Sequence, residues 1–193
     1  METTILSNQQ FKVSDWSGGT TTELFIFPPN ASYQERNFVF RLSTALVEIE
    51  KSTFTSLPGV TRKIMILDGE IRIDHQNHYA KNLRKFDVDT FEGDWKTTSV
   101  GRCTDFNLMT TEKIKVDLTA VVIEENQRLD YQVESGWNWV FIYLYSGQIN
   151  IHLDHDFFTL NSGILLVISN EVSCSLQIKG VKKSELVFSK IKR

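Results

Sequence analysis

Two segments of the chain share one pattern, in which a glycine interrupts a run of alternating apolar residues. The first covers residues 64–73 around Gly69, and the second, 78 residues later, covers residues 142–151 around Gly147. Each is typical of two short antiparallel strands joined by a tight turn, because glycine adopts the backbone angles of such turns at little cost. The sequence therefore predicts a duplicated β module, and small β-barrels of this kind bind small molecules in their interiors.

Strand signals also dominate the rest of the chain, as short β-branched or aromatic runs bounded by polar, Gly or Pro residues. The stretch 107–115 is the only helix-like one, and its paired threonines favour a turn or linker there. We therefore expect two modules, residues 1–112 and residues 113–193. No Pro-rich linker separates them, so we expect one compact unit. The other strand-like runs are 24–27, 38–49, 119–123, 139–151, 164–168, 174–178 and 185–188.

Composition excludes several classes of partner. The net charge is −3 and the basic residues are scattered, so the chain lacks the basic stripe that nucleic acids require. It has neither a membrane-length apolar run nor a signal-peptide core at its N-terminus, so we expect no membrane contact and a cytoplasmic location. Cys103 and Cys174 stand far apart and outside any CxxC motif, which predicts buried free thiols.

The first of two polar clusters covers residues 16–24. A glycine pair permits close approach of the backbone, and it is followed by the hydroxyls of Thr20 and Thr21 and by the carboxylate of Glu23. This segment either lines a polar pocket or forms an ordinary turn before the next strand.

The second polar cluster covers residues 105–109. Strand alternation places Asp105, Asn107 and Met109 on one face. If that face points inward it is a binding surface, and if it points outward it is a solvated edge; the pattern leaves both open.

A strand between these clusters carries an arginine that faces a barrel interior if the aromatic residues beside it form the outer packing. Arg41 and Ser43 share the strand face opposite Phe40. An arginine inside a barrel requires an anionic partner. That partner is either an internal carboxylate, from Glu23 or Asp105, or a ligand carboxylate held by the planar guanidinium.

Taken together, these segments resemble the HutD/Ves family, densely over roughly the first 110 residues, while the second half matches as a degenerate β repeat. The resemblance implies a bicupin, with two double-stranded β-helix barrels in one chain and no established enzymatic activity. HutD-type members are linked to bacterial histidine utilisation, where binding of a formylglutamate-like intermediate has been proposed, and Ves-type members to cold or environmental stress. The matching positions are Trp16, Gly18–Thr21, Glu23–Leu24, Phe40–Ser43, Ala45, Leu57–Gly59, Arg62, Leu67–Gly69, Phe91, Gly93–Asp94, Asp105–Asn107 and Met109.

The metal-binding pattern of cupins offers a further comparison. Anchored on Gly69, it places Arg62 where a glutamate ligand stands, and laid on Gly93 it places Lys96 where a histidine ligand stands. Cationic side chains repel a metal ion, so we expect no metal and no other cofactor, and an anion in the barrel instead. The four histidines are expected to be exposed loop residues: His75, His78, His152 and His155.

We therefore expect a metal-free, all-β bicupin that binds a small carboxylated metabolite of the formylglutamate type in its first barrel. In this hypothesis two arginines hold carboxylates, three hydroxyls donate hydrogen bonds, an asparagine recognises an amide or formyl group, and two carboxylates orient the arginines. The two arginines are Arg41 and Arg62, the hydroxyls belong to Thr20, Thr21 and Ser43, the asparagine is Asn107, and the carboxylates are those of Glu23 and Asp105. Trp16 and Met109 complete the site.

Two alternatives belong to other functional classes. One is an isomerase or lyase with Glu23 or Asp105 as the general base, which requires a raised carboxylate pKa, whereas nearby arginines would lower it. The other is a structural or regulatory homodimer without a ligand, in which exposed strand edges pair between subunits.

Overall fold

The computed structural model describes the backbone of residues 1–193 and every side chain outside residues 170–172. This part of the chain forms 17 β-strands and no helix, so the predicted all-β class is confirmed and no helix that could cross a membrane is present in it. The strands are β1 (Glu2–Leu6), β2 (Lys12–Trp16), β3 (Gly19–Phe27), β4 (Phe40–Val47), β5 (Lys51–Thr53), β6 (Thr61–Gly69), β7 (Ile71–His75), β8 (Tyr79–Leu83), β9 (Val88–Glu92), β10 (Thr97–Val100), β11 (Cys103–Thr110), β12 (Lys115–Ile123), β13 (Arg128–Ser146), β14 (Gln148–Leu153), β15 (Asp156–Asn161), β16 (Ile164–Gly180) and β17 (Ser184–Lys192).

The chain divides into two compact units. The N-terminal unit is Phe11–Lys113, and the C-terminal unit is Ile114–Arg193 together with Met1–Gln10. The sequence analysis placed the first ten residues in the first module. They belong to the C-terminal unit because β1 pairs antiparallel with the first half of β16.

The N-terminal unit is built from two antiparallel sheets. One has six strands in the order β2-β3-β4-β11-β6-β9, and the other has four in the order β5-β10-β7-β8. Strand alternation sorts the side chains of β4, in which Phe40 and Leu42 are fully buried on one face and Arg41 and Ser43 lie on the other. The turn or linker expected over residues 107–115 begins only after Thr110, since β11 continues to that residue and pairs with β4 and β6 on its two sides.

The C-terminal unit is one seven-stranded antiparallel sheet, in the order β12-β17-β13-β16-β14-β15 with β1 added to β16. Its core is a dense cluster of fully buried aliphatic residues with Phe188 among them. Burial at this density is the main source of its stability, at about 25 cal/mol for each Å² of apolar surface.

The two glycines that mark the sequence repeat do not form hairpins, so that part of the prediction is wrong. Strand β6 pairs with β9 and β11, whereas β7, which follows Gly69, pairs with β8 and β10 in the other sheet. In the C-terminal unit β16 separates β13 from β14. Both glycines have positive φ, 78° for Gly69 and 92° for Gly147, and each redirects the chain away from the strand it has just left.

The two units nevertheless repeat one order of strand pairing. The run β4-β11-β6-β9 in the first corresponds to β12-β17-β13-β16 in the second, and β7 between β8 and β10 corresponds to β14 between β15 and β16. The 78-residue spacing of the two glycines aligns β6 with β13, and the pairing of β11 with β6 and of β17 with β13 extends the alignment to β11 and β17. Arg62 on β6 is aligned with Val140 on β13, for example.

Candidate functional site

A cavity of about 240 Å³ lies in the N-terminal unit, against one face of the six-stranded sheet. Three adjacent strands, β4, β11 and β6, supply its charged and amide side chains. In the register of these strands Asn107 is opposite Ser43 on one side, and Met109 lies between Arg41 and Arg62. The face that the sequence left open, with Asp105, Asn107 and Met109, therefore points inward.

Arg41 is held by an internal carboxylate. Its Nε donates to Glu23 Oε2 at 2.6 Å, its Nη1 donates to Ser43 Oγ at 3.0 Å, and its guanidinium lies 4.5 Å from the centre of the Tyr33 ring. The side chain is only 5% exposed. Of the alternatives for this arginine, the structure contains the internal ion pair, with Glu23 as the partner.

Arg62 is less completely satisfied. Its Nη2 donates to Asn107 Oδ1 at 3.0 Å, and the guanidinium lies 4.8 Å from the ring centre of Phe54 and 5.4 Å from that of Phe91. Its Nε is buried and, within the part of the chain that the structure describes, has no hydrogen-bond partner. Desolvation lowers the pKa of Arg62 to about 10, so the side chain is still a cation at neutral pH.

Asp105 is the second unusual charge in the cavity. It is 3% exposed, and its Oδ1 accepts a hydrogen bond from Asn107 Nδ2. Burial raises the pKa of Asp105 to about 7, and this effect exceeds the opposing influence of the Arg62 charge and the Asn107 hydrogen bond. Desolvation thus outweighs the lowering by an arginine that the sequence analysis expected, and the pKa of this carboxylate is raised.

The charges of the site come close to balance. Two guanidinium groups, of Arg41 and Arg62, accompany the carboxylates of Glu23 and Asp105. When Asp105 is ionised the formal charges of these four groups cancel, and when it is protonated one positive charge remains in excess. The protonation of a single buried carboxyl group thus decides whether these four groups are formally neutral or carry one positive charge.

Most of the residues singled out from the sequence line this cavity. Thr20 does not, because it lies on the face of β3 opposite Thr21, and Glu23 contacts the site through Arg41. The sequence analysis missed the two rings that cover the arginines, Tyr33 and Phe54, which lie outside the polar clusters from which the site was inferred. The predicted residues that line the cavity are Trp16, Thr21, Arg41, Ser43, Arg62, Asp105, Asn107 and Met109.

The aligned positions of the C-terminal unit carry apolar side chains instead. Val140 stands in place of Arg62, Leu186 in place of Asp105 and Phe188 in place of Asn107. All three are fully buried in the apolar core of that unit. The same strand framework therefore supports a packed interior in one unit and a charged cavity in the other.

Two cationic or titratable residues lie elsewhere than the sequence suggested. Lys96 is exposed and does not line the cavity, so the cupin register that placed it there is wrong. His75 is 1% exposed rather than in a solvated loop. Its ring nitrogens lie 2.8 Å from Thr97 Oγ1 and 2.9 Å from Asp89 Oδ2.

Asp89 is the centre of that second buried network. Burial alone would raise its pKa, but hydrogen bonds from Lys81, His75 and Tyr79 together hold the pKa below its ordinary value of 3.8. Lys81 Nζ lies 2.8 Å from Asp89 Oδ1. This network joins β7, β8, β9 and β10, and its residues do not line the cavity of the N-terminal unit, so we interpret it as structural.

The potential metal ligands are dispersed. Within the described part of the chain, no three His, Cys, Asp or Glu side chains lie close enough together to hold a metal ion. Cys103 and Cys174 are free and buried, as the sequence predicted. Burial raises the pKa of Cys103 to about 12, so its thiol is not a nucleophile at neutral pH.

The all-β units and the buried polar cavity define a cupin-type protein, and solved structures support this class. A family model described as HutD matches residues 8–188, and the chain therefore belongs to the HutD family. No protein with a curated description matches it.

Three solved structures illustrate the likeness. A conserved protein of unknown function from Pseudomonas aeruginosa PAO1 is 19% identical, with a TM-score of 0.85 and 100% of both chains covered. HutD from Pseudomonas fluorescens SBW25, solved in a formate condition, is 18% identical, with a TM-score of 0.71 and 100% of both chains covered. The bacterial pirin YhhW from Escherichia coli, in complex with nickel(II), is 9% identical, with a TM-score of 0.69 and 99% of both chains covered. At these identities the likeness establishes the fold.

Proposed function

We propose that this protein is a metal-free bicupin that binds a small carboxylated metabolite in the cavity of its N-terminal unit. The observation that carries the proposal is Arg62, a buried cation that lines the cavity and whose Nε donor has no hydrogen-bond partner among the described side chains. Leaving such a donor unsatisfied is unfavourable by about 1–3 kcal/mol or more. A ligand carboxylate would satisfy it with a charge-assisted hydrogen bond.

The size and lining of the cavity support a small ligand. Its volume of about 240 Å³ is below the roughly 300–1,000 Å³ of sites for drug-sized molecules. Thr21 and Ser43 supply hydroxyl groups, and Val47 and Met109 supply apolar surface for a short carbon chain. A formylglutamate-like acid matches this lining, because it has carboxylates and a short carbon chain.

In this proposal Asn107 does not recognise an amide or formyl group of the ligand, as the sequence analysis expected. Both ends of its amide already have protein partners, Arg62 and Asp105. We therefore assign it to holding those two groups in place, and we assign contact with a formyl or amide group to the hydroxyls of Thr21 and Ser43. Membership of the HutD family supports histidine utilisation as the setting of this binding.

Isothermal titration calorimetry with N-formylglutamate, glutamate and urocanate tests the proposal. We expect the wild-type protein to bind at least one of these acids and Arg62→Ala to bind it about tenfold more weakly or worse, because one charge-assisted contact is lost. Arg72→Ala is the matched control, since Arg72 is exposed on β7 of the same unit and does not line the cavity. Absence of binding of all three acids by the wild-type protein would refute the proposal.

One observation favours a second candidate, an isomerase or lyase with Asp105 as its general base. A buried carboxylate with a pKa of about 7 is suited to accept a proton from a bound substrate at neutral pH. Asp105→Asn would then abolish turnover of a carboxylated substrate while leaving its binding measurable. If this substitution has no effect on turnover, the candidate is removed.

A further inference from the structure

A three-residue bridge joins the unsatisfied cation to the buried acid. Asn107 Oδ1 accepts from Arg62 Nη2, and Asn107 Nδ2 donates to Asp105 Oδ1. All three side chains are buried and line the same cavity. The amide can satisfy both neighbours in only one orientation, so the bridge fixes Arg62 and Asp105 relative to each other.

The groups that face this bridge come from every strand packed against β11. Strand β6 supplies Arg62 itself, and β4 supplies Arg41, whose charge is already paired with Glu23 of β3. On β11 the nearest titratable neighbour is Cys103, whose pKa is raised to about 12 by burial and then by the Asp105 charge. Tyr33, from the segment before β4, also acts on the charge of Arg62. Among Arg62, Cys103 and Asp105, the pKa of Asp105 is therefore the one that lies between pH 6 and 9.

An anion at Arg62 acts on Asp105 in two ways. It shares the guanidinium charge that otherwise stabilises the Asp105 carboxylate, and it places a second negative charge in a cavity with little water. Both effects favour the neutral acid. In this arrangement a carboxylate ligand and an ionised Asp105 compete for the same cation.

We infer that an anion bound at Arg62 is accompanied by uptake of one proton on Asp105, so that the cavity binds the anion and the proton together. This inference rests on the proposed carboxylate-binding function and names its regulation by pH. The proton comes from solvent and adds to a carboxylate oxygen of Asp105, and no bond of the ligand is formed or broken. A pKa of about 7 for Asp105 in the empty cavity places the transition near neutral pH.

The consequence is an affinity that depends on pH. Below about pH 6 Asp105 is already neutral, and the formal charges of the two arginines, Glu23 and Asp105 leave one excess positive charge for the anion. Above pH 7 each binding event must first neutralise Asp105, so affinity falls by up to about tenfold for each pH unit. A ligand whose carboxyl groups are ionised throughout this range contributes nothing to the slope.

Calorimetry with N-formylglutamate in buffers of different ionisation enthalpy measures this proton directly. At pH 8, without phosphate and at constant ionic strength, we expect uptake of nearly one proton per ligand bound, and an affinity about tenfold lower at pH 9 than at pH 8. Asp105→Asn is expected to take up no proton and to bind more tightly than wild type at pH 8.5. Asp68→Asn, on an exposed position of β6, is the matched control and should keep the wild-type uptake.

The outcomes separate the two proposals. Binding by the wild-type protein without proton uptake, and with an affinity independent of pH, overturns the inference while the proposed function stands. Proton uptake that persists in Asp105→Asn also overturns it, because the proton then belongs to another group. If N-formylglutamate, glutamate and urocanate all fail to bind, both proposals fall. The wild-type buffer series decides the question even if the Asn variant does not fold.

Discussion

The buried bridge between Arg62, Asn107 and Asp105 is expected to be less stabilising than an apolar set of residues in the same place. In the C-terminal unit the aligned residues are Val140, Phe188 and Leu186, all fully buried. Replacing a buried charged set by apolar residues of similar size is often neutral or stabilising by about 1–4 kcal/mol, whereas removal of one member alone is destabilising by about 3–5 kcal/mol. We therefore expect the triple variant Arg62→Met, Asn107→Leu, Asp105→Leu to be at least as stable as wild type and unable to bind carboxylates.

The single variant Arg62→Met provides the comparison. At pH 8 it removes the cation that stabilises the Asp105 carboxylate, so the buried carboxyl group must either stay ionised without a partner or take up a proton, and we expect a loss on the order of 3 kcal/mol in the free energy of unfolding by urea. At pH 5, where Asp105 is neutral, the loss should be much smaller. A triple variant less stable than Arg62→Met at pH 8 would show that the bridge is a structural element. Strand alternation predicted that Asp105 and Asn107 share one face of a strand but left open whether that face points inward, and the partner of each arginine depends on strand order, which is not encoded locally.

Gly69 and Gly147 redirect the chain at equivalent positions of the two units. A Cβ at Gly69 would lie 2.4 Å from the carbonyl oxygen of Arg102, and one at Gly147 would lie 2.3 Å from that of Lys183. We expect Gly69→Ala to destabilise its unit by several kcal/mol, measured by thermal or urea unfolding, because backbone atoms must move. Gly59→Ala is the control: φ is 77° there and no atom lies within 4 Å, so it should show only the cost of the backbone angle, about 1–2 kcal/mol.

An equal effect of Gly59→Ala and Gly69→Ala would mean that φ alone, and not the close approach of backbone atoms, requires glycine at these positions.

The segment around Gly69 shows how far the secondary-structure elements can be predicted from the sequence. Alternation around Gly69 correctly predicted strands on both sides of it, since period-two burial is a local property. It did not predict that β6 and β7 belong to different sheets, because partner choice depends on contacts far away in the chain. For the same reason the pairing of β1 with β16 could not be predicted.

Across the whole molecule, two buried carboxyl groups make stability depend on pH with opposite signs. The folded protein retains the proton of Asp105 up to about pH 7, whereas the unfolded chain loses it near 3.8. The unfolded state therefore binds fewer protons in this window, and stability falls as pH rises from about 4 to 7. Asp89 acts in the other direction: its pKa is lowered by folding, so its contribution is present above pH 3.8 and is lost as pH falls further.

These two dependences predict that the ligand-free protein is most stable at mildly acidic pH, near 4 to 5, and less stable at pH 7. Because the pKa values of Asp105 in the folded and unfolded states differ by about three units, Asp105 accounts for a decrease in the free energy of unfolding on the order of 4 kcal/mol. Urea unfolding of wild type and Asp105→Asn at intervals from pH 4.5 to 8 isolates this part, since other titrating groups are common to both proteins. As the pH rises to about 7, the wild-type protein should lose stability relative to Asp105→Asn. Above pH 7 the difference in unfolding free energy between the two proteins should stay constant. Asp68→Asn should follow the wild-type curve, and a parallel course of wild type and Asp105→Asn would show that Asp105 is ionised throughout.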